Sequence, residues 1–188
     1  MFLQLKITLQ NIKPPIWRRI VVSDELTLFQ LHNIIQIAFN WANMHLYQFK
    51  IAEYKVDMDG GFGLSIESEG LNVKEVKLKD FALSEKDTFI YWYDFGDDWR
   101  HQIQIEKTSQ LGPEYPVCLA GKRNAPPEDC GGPWRYEELI NRLATKKLNA
   151  QEKEFLEFHD PEYFDIEEVN DILSDEEALN EDDFFDDL

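Results

Sequence analysis

The sequence has few cysteines and no long apolar run. It contains two cysteines, Cys118 and Cys130, among 188 residues, which is too few for the disulfide framework of a secreted domain. No segment approaches the roughly 18 consecutive apolar residues that a membrane span requires, and the N-terminal residues lack the apolar stretch of a secretory signal. These absences predict a soluble cytoplasmic protein with reduced cysteines and no membrane contact.

Positive charge is also scarce, because 19 Lys and Arg residues stand against 37 Asp and Glu residues, for a net charge of -18. The excess acidity lies at the C-terminal end, where residues 151–188 hold 17 acidic residues and one basic residue. The remainder of the chain is nearly neutral. A general binder of the nucleic-acid backbone is therefore disfavoured without being excluded.

The last segment predicts a tail rather than part of the fold. Residues 175–188 contain eight acidic residues and too few apolar groups to offset the entropy of ordering them. We expect a single domain over residues 1–174 followed by an acidic tail, whose removal should leave thermal stability nearly unchanged. Docking of Phe184 and Phe185 on the domain would contradict this expectation.

Complete catalytic motifs are missing. The chain has no Gly-Lys-Ser/Thr phosphate loop, no nucleophile elbow and no Cys-x-x-Cys pair. The segment from Asp57 to Gly63 begins like a calcium loop, but Gly61 occupies the third ligand position. Asp57 and Asp59 are therefore interpreted as turn residues, and the sequence names no reaction.

Hydrophobic periodicity predicts an α+β fold. Apolar residues alternate with polar ones in residues 3–9, which is typical of a half-buried strand, and follow helical spacing in residues 27–41. Further strands are predicted at 46–52, 88–95 and 99–106, a proline-rich irregular stretch from 107 to 133, and a helix from Gly132. Two shorter helices follow, near 150–158 and after Asp165, where Glu168 would complete a capping box. Strands that precede helices without regular alternation indicate the α+β class.

The same periodicities define the core. The apolar face of the long helix should pack against the first strand and the predicted hairpin. The residues expected in this contact are Leu31, Ile35 and Phe39 of the helix, Leu5 and Ile7 of the first strand, and Ile103 and Ile105 of the hairpin.

The hairpin turn YDFGDDWRH is the first candidate site. It gathers polar groups among aromatic residues, namely Asp94, Asp97, Asp98, Arg100 and His101 beside Trp99. These carboxylates and the imidazole could coordinate a divalent cation or transfer a proton. They could also simply cap the turn and pair with arginine. The period-2 pattern turns His101 inward, where a hydrogen-bonded structural role competes with that of a general base.

The segment PPEDCGGPW is the second candidate site. It supplies Glu128 and Asp129, together with free backbone N–H groups at Gly131 and Gly132 before a helix N-terminus. Each cluster alone could simply be a well-capped turn, or the two clusters could line one cleft. The distance from the His101 ring to the two carboxylates distinguishes these alternatives. Among the remaining histidines, His32 is predicted to face the core, whereas His45 and His159 are assigned surface or capping roles.

Several stretches together carry a family resemblance. IWRRIVV, TLFQLHNIIQIAFNW, HLYQF, YWYDFGDDWRHQIQIE and YPVCLAGKRNAPPEDCGGPW resemble the plasmid pRiA4b ORF-3-like family, from about residue 3 to residue 173. The resemblance implies a roll-like α+β domain with a mixed, mainly antiparallel sheet packed by one long helix, followed by C-terminal helices. It implies no established biochemical function.

Some members of that family resemble an insertion-element passenger protein labelled a resolvase. This chain has no basic helix-turn-helix and no serine in a recombinase context, so the label is not transferred. The family usually has glycine before the tyrosine that follows Gly-Gly-Pro-Trp, whereas Arg135 precedes Tyr136 here. A pocket shaped by that glycine would differ in this protein.

Two functional hypotheses follow. The first is a non-catalytic binding or accessory module with an unknown ligand or protein partner and a link to mobile elements. The alternative is a metal-dependent or acid/base hydrolase that uses His101 and His32 with Asp94, Asp97 or Asp98, helped by Glu128 and Asp129. The absence of a complete catalytic motif favours the first hypothesis. A divalent metal is the one cofactor that the residues suggest.

Overall fold

The computed structural model describes residues 1–52, 54–57 and 72–180, with only the backbone of Asp57. Among these residues, seven strands form one antiparallel sheet in the order β4-β3-β5-β6-β1-β2-β7. The strands are β1 (Phe2–Leu9), β2 (Trp17–Ser23), β3 (Tyr47–Ile51), β4 (Tyr54–Asp57), β5 (Thr88–Tyr93), β6 (Trp99–Ser109) and β7 (Val117–Lys122). The helices are α1 (Leu28–Phe39), α2 (Gly132–Ala144), α3 (Ala150–Phe155) and α4 (Ile166–Leu173), with a 3₁₀ turn at Leu78–Phe81.

This architecture confirms the predicted α+β class. The described strand pairs are all antiparallel. The expectation of a mixed sheet is therefore corrected, because no parallel pair occurs among the described strands. The calcium-like residues Asp59 and Gly61, and the tail residues Phe184 and Phe185, lie outside the described residues. No helix in the described part of the chain is long and apolar enough to cross a membrane.

One face of the sheet is buried and the other is partly exposed. Burial alternates residue by residue along β1, β2, β5 and β6, as expected for a sheet covered on one side. The helix α1 packs on the buried face, and the residues predicted to form its contact are all at most 1% exposed: Leu5, Ile7, Leu31, Ile35, Phe39, Ile103 and Ile105. The predicted core is confirmed.

The bounds of α1 follow from its terminal residues. At its start, the Thr27 hydroxyl accepts a hydrogen bond from the Gln30 amide, and the Gln30 side chain accepts one from the Thr27 amide. This reciprocal pair is a capping box. At its end, Asn40 adopts a left-handed conformation with φ 53°, which closes the helix and turns the chain toward β3.

A buried arginine joins the end of α1 to the sheet. Arg18 of β2 is 2% exposed, and its guanidinium donates to the carbonyl of Ala38 in the last turn of α1 and to the carbonyls of Trp17 and Lys122. Desolvation lowers the pKa of Arg18 to about 10, so the group remains charged at neutral pH. A cation at a helix C-terminus is favourable because partial negative charge accumulates there.

The strand β7 corrects the expectation of irregular structure between 107 and 133, because Val117–Lys122 pairs with β2. Its glycine and the prolines around it hid the strand pattern. An added Cβ at Gly121 would lie 2.4 Å from the Phe164 ring. A larger residue at this position would therefore clash with the Phe164 side chain. The free edge is covered by α4, whose Asn170 amide exchanges hydrogen bonds with the backbone of Cys118. Covering an edge in this way prevents pairing with another chain.

The start of α4 is capped as predicted, but only in one direction. The Asp165 carboxylate accepts from the amides of Glu167 and Glu168. A return hydrogen bond from the Asp165 amide to the Glu168 carboxylate is not found among the described residues, so the capping box is incomplete.

The segment that follows α4 packs on α1. Leu179 is 5% exposed, its carbonyl accepts from the Asn33 side chain, and the Asn180 side chain accepts from Gln30. The expectation of a detached tail is therefore wrong for residues 175–180. A single leucine with polar contacts on either side was enough to anchor a segment whose composition is mostly acidic.

We expect Leu179→Ala to lower the free energy of unfolding by about 1–3 kcal/mol, because a buried leucine loses its apolar contacts. Urea denaturation measures this change. The matched control is Leu111→Ala, since Leu111 is 86% exposed and should change stability by less than about 0.5 kcal/mol. Equal effects of the two substitutions would show that residues 175–180 do not contribute to the fold.

Candidate functional site

Three loops lie together at one end of the β5–β6 hairpin. The first loop follows α1, the second joins β5 to β6, and the third joins β7 to α2. We name the surface formed by residues 41–46, 94–98 and 126–134 the three-loop surface.

A tyrosine and a glutamate connect the three loops. The Tyr93 hydroxyl donates to one carboxylate oxygen of Glu128 and accepts from the backbone amide of Met44. The other Glu128 oxygen accepts from the amide of Ala42 at 2.8 Å. Burial, with a smaller contribution from Glu128, raises the pKa of Tyr93. Tyr93 therefore keeps its proton and remains the donor to Glu128.

Trp41 reinforces the contact between the first and third loops. Its indole Nε1 donates to the carbonyl of Pro126 at 2.8 Å. Its ring stacks on Tyr93, with 5.1 Å between centroids and planes 20° apart. Because Trp41 is 8% exposed, it supports the surface from beneath and is not part of a face that a ligand could contact.

The second loop contacts the third directly. One oxygen of the Asp94 carboxylate accepts from the amides of Gly96 and Asp97, which forms the turn. The Asp97 carboxylate accepts from the amide of Gly131 at 2.9 Å. Gly132 has φ +81°, and an added Cβ there would lie 2.4 Å from the Asp97 carbonyl oxygen. The hairpin turn and the PPEDCGGPW loop therefore adjoin, and this close approach requires glycine.

The remaining turn residues separate into exposed and buried groups. Asp98 and Arg100 form an ion pair at 2.8 Å, and both side chains are 46% exposed. The Arg100 guanidinium also lies over the Trp92 ring, 4.7 Å from its centroid. Trp99, which the sequence analysis groups with the turn as a candidate binding residue, is 1% exposed and belongs to the core.

His101 is a core residue. Its side chain is fully buried, and neither ring nitrogen has a hydrogen-bond partner among the described residues. The edges of Phe39 and Trp41 face its ring, with centroids 4.7 and 5.2 Å away. Desolvation lowers the pKa of His101 to about 3. The ring is therefore neutral and inward, as predicted, but it has neither the orienting carboxylate nor the hydrogen bond that the sequence analysis considered.

His32 is also structural. One ring nitrogen is 2.6 Å from the Tyr91 hydroxyl and the other is 2.6 Å from the side-chain oxygen of Asn43. The ring stacks on Tyr47 with 3.6 Å between centroids. Both ring nitrogens are engaged, so His32 fixes the position of the first loop through Asn43 and offers no free base.

His45 is the functional candidate that the sequence analysis missed. Its Nε2 lies 3.3 Å from a carboxylate oxygen of Asp129 and 3.7 Å from one of Asp94. This nitrogen is shielded from solvent and makes no hydrogen bond of acceptable geometry to the described residues. The sequence predicts only a surface or capping role for His45, because its neighbours Asp94 and Asp129 come from distant parts of the chain. No local spacing around His45 could have indicated them.

The thiols offer no activated nucleophile. Cys118 and Cys130 are both free and buried. Desolvation raises the pKa of Cys130 to about 12 and that of Cys118 above its usual value. A thiolate is the reactive form of cysteine, so both groups are held as inert thiols. His159, assigned to a surface or capping role, lies 3.0 Å from the Tyr136 hydroxyl.

The three-loop surface is acidic and carries exposed apolar side chains. Five carboxylates belong to it, those of Asp94, Asp97, Asp98, Glu128 and Asp129. Four of its apolar side chains are exposed, namely Met44 at 51%, Leu46 at 40%, Phe95 at 41% and Trp134 at 82%. Asn43, Asp94, Asp98 and Asp129 have left-handed backbone, which asparagine and aspartate tolerate in tight turns. This combination suits recognition of a positively charged group beside an apolar one.

The fold and the surface define an α+β protein in which three loops meet at one end of the sheet. A model of the plasmid pRiA4b ORF-3-like protein family matches residues 1–171, so the chain belongs to that family. It is 40% identical over 146 residues to the uncharacterized protein y4hQ of Sinorhizobium fredii, covering 75% of this chain and 72% of that protein.

A solved structure has the same fold. The crystal structure of the protein of unknown function MM3350 from Methanosarcina mazei Go1 has a TM-score of 0.77 and 34% identity, and the match covers 89% of this chain and 96% of that one. These relatives have no established function, and none of them indicates a catalytic one.

The protonation of His101 should be visible in the stability of the protein. The ordinary pKa of about 6.5 applies to the unfolded chain, and the folded value is about 3. The unfolded state therefore binds the proton first as pH falls. Stability from this group is complete above about pH 6.5 and is lost toward pH 3, by roughly 1.4 kcal/mol per pH unit.

Between pH 7 and pH 5 the wild type should lose about 2 kcal/mol of unfolding free energy, because the unfolded chain binds a proton at His101 and the folded protein does not. The variant His101→Leu should not show this loss. Urea denaturation at each pH measures the difference. Ile103→Val is the control, because it weakens the same buried face without changing proton binding. Parallel pH profiles of His101→Leu and the wild type would show that His101 titrates normally in the fold.

Proposed function

We propose that the protein is a non-catalytic binding module and that the three-loop surface recognises a cationic segment of a partner protein. The observation that carries the proposal is the convergence of three loops, tied by Tyr93 and Glu128, on one acidic surface with exposed apolar side chains. Loops fixed in place before binding lose little entropy when a partner binds.

The partner's chemistry follows from the exposed groups. The Asp129 side chain is 77% exposed and that of Asp98 is 46% exposed, so both carboxylates can pair with Lys or Arg side chains of a partner. Trp134, in the first turn of α2, is 82% exposed and offers an aromatic face to a guanidinium. Tryptophan is among the residues that dominate binding energy at interfaces. A nucleic acid would instead meet negative charge at this surface.

The hydrolase alternative is not favoured. It requires His101 and His32 as acid and base, but His101 is enclosed in the core and both nitrogens of His32 are engaged. The relatives do not indicate a catalytic function. Binding is the activity for which the exposed residues are suited.

The proposal includes a cellular setting. We place the module in the cytoplasm, as a single domain that includes residues 175–180 packed on α1, with the acidic residues 181–188 after it. The family description refers to a plasmid, and on that ground we link the protein to mobile genetic elements as an accessory component. Binding of a cationic segment by the three-loop surface does not depend on the cellular location or on the link to mobile elements.

Selection of peptides from a phage-displayed random 12-residue library on the full chain tests the proposal. We expect the selected peptides to be enriched in Arg and Lys. Their affinity, measured by fluorescence anisotropy, should fall about tenfold or more on Trp134→Ala, as for a central interface tryptophan. It should fall by a smaller factor on Asp98→Asn, since a partly exposed ion pair contributes about 0.2–1 kcal/mol.

Two exposed residues outside the three-loop surface provide matched controls. Phe158 is 94% exposed and Glu157 is exposed, so Phe158→Ala and Glu157→Gln should leave affinity unchanged. A labelled DNA duplex in the same assay should not bind. Peptides without cationic enrichment, or peptides that bind Trp134→Ala as tightly as the wild type, would refute the proposal.

A further inference from the structure

We propose that His45, Asp94 and Asp129 form a binding site for a divalent first-row metal ion of tetrahedral preference, with Zn²⁺ as its type. Each residue offers one potential ligand atom, which is Nε2 in His45 and a carboxylate oxygen in each aspartate. These three atoms lie within 4.8 Å of one another. The three residues come one from each loop of the three-loop surface. The inference is independent of the partner proposed above.

The spacing of these atoms fits a small ion. Ligand atoms that each lie 2.0–2.2 Å from a tetrahedral ion are roughly 3.3–3.6 Å apart. His45 Nε2 is 3.3 Å from Asp129 Oδ1 and 3.7 Å from Asp94 Oδ2. The two carboxylate oxygens lie within 4.8 Å of each other, so they must approach by at most about 1.5 Å for all three atoms to coordinate one ion.

The second observation concerns the ring nitrogen itself. His45 Nε2 is inaccessible to solvent and has no hydrogen-bond partner among the described residues, although two carboxylates lie within 4 Å of it. A buried polar atom left without a partner costs about 1–3 kcal/mol. A direct ion pair between His45 and a carboxylate would explain the short distances. However, its N–H would then point at a carboxylate oxygen, and no hydrogen bond of that geometry is present among the described residues. A metal ion between the three groups satisfies the nitrogen in the observed arrangement.

The carboxylate of Asp94 is already oriented for such a role. Its Oδ1 accepts from the amides of Gly96 and Asp97, which leaves Oδ2 directed toward His45. Metal-ligating carboxylates are usually held by hydrogen bonds of this kind. Asp97 in turn binds the amide of Gly131, so the same turn positions the loop that carries Asp129.

The ligand set indicates the class of ion. One imidazole and two carboxylates suit Zn²⁺ or a neighbouring first-row ion, whereas Mg²⁺ and Ca²⁺ prefer oxygen ligands. Three protein ligands leave one tetrahedral position open to water or to a donor atom of a partner. The ion would join the three loops at a second point, beside the contact between Tyr93 and Glu128.

Calorimetric titration of the untagged, EDTA-treated full chain with ZnCl₂, without any peptide, tests the site. We expect one Zn²⁺ per chain, an affinity at least tenfold higher than for MgCl₂, and a higher melting temperature with Zn²⁺. Co²⁺ in place of Zn²⁺ should give the intense visible absorption of a tetrahedral complex.

Variants separate this site from weak binding by the acidic C-terminal residues. His45→Gln should weaken Zn²⁺ binding about 100-fold and Asp129→Asn by roughly 10- to 100-fold, by analogy with the loss of metal-site groups. The Asp129 side chain is 77% exposed, so that variant should fold normally. His159→Gln, a histidine outside the cluster, should bind as the wild type does. Equal binding by the wild type, His45→Gln and Asp129→Asn, or absence of a one-to-one site, would overturn the inference.

Discussion

The hydrogen bond between Tyr93 and Glu128 is the contact on which the three-loop surface depends. Tyr93 ends β5 on the buried face of the sheet, and its hydroxyl reaches the carboxylate that also holds the amide of Ala42. One charged group therefore fixes loops from three separate parts of the chain. Hydrogen bonds to charged groups contribute about 1.5–3 kcal/mol. Glycine at 132 then allows the helix α2 to begin against the hairpin turn.

The polar groups of the core divide into two kinds. Arg18 remains charged because the carbonyl oxygens at the end of α1 and in the sheet accept hydrogen bonds from its N–H groups. His101 has no such acceptors, so burial keeps it neutral. Both residues lie beneath the surface and not on it. The histidine that reaches the surface is His45, where carboxylates from two other loops meet it.

Local pattern was sufficient for the elements and the core, and insufficient for the site. The helical spacing of Leu31, Ile35 and Phe39 identified the buried face of α1 because that face repeats within the helix. By contrast, β7 is short and interrupted by glycine, and it forms because β2 and α4 lie on either side. His45 has no periodic neighbours, so its proximity to Asp129 depends entirely on how the third loop folds back. The burial of Leu179 was not predicted, because the acidic composition of its segment indicated that the segment would not pack on the domain.

The coupling free energy between Tyr93 and Glu128 tests most directly whether the three-loop surface depends on their hydrogen bond. Urea unfolding of the wild type, Tyr93→Phe, Glu128→Ala and the double variant gives that energy, since effects unrelated to the shared contact cancel in the cycle. We expect a coupling of about 1.5–3 kcal/mol. Additive effects, with a coupling below about 0.5 kcal/mol, would contradict it, because the three loops would then be held together by other contacts.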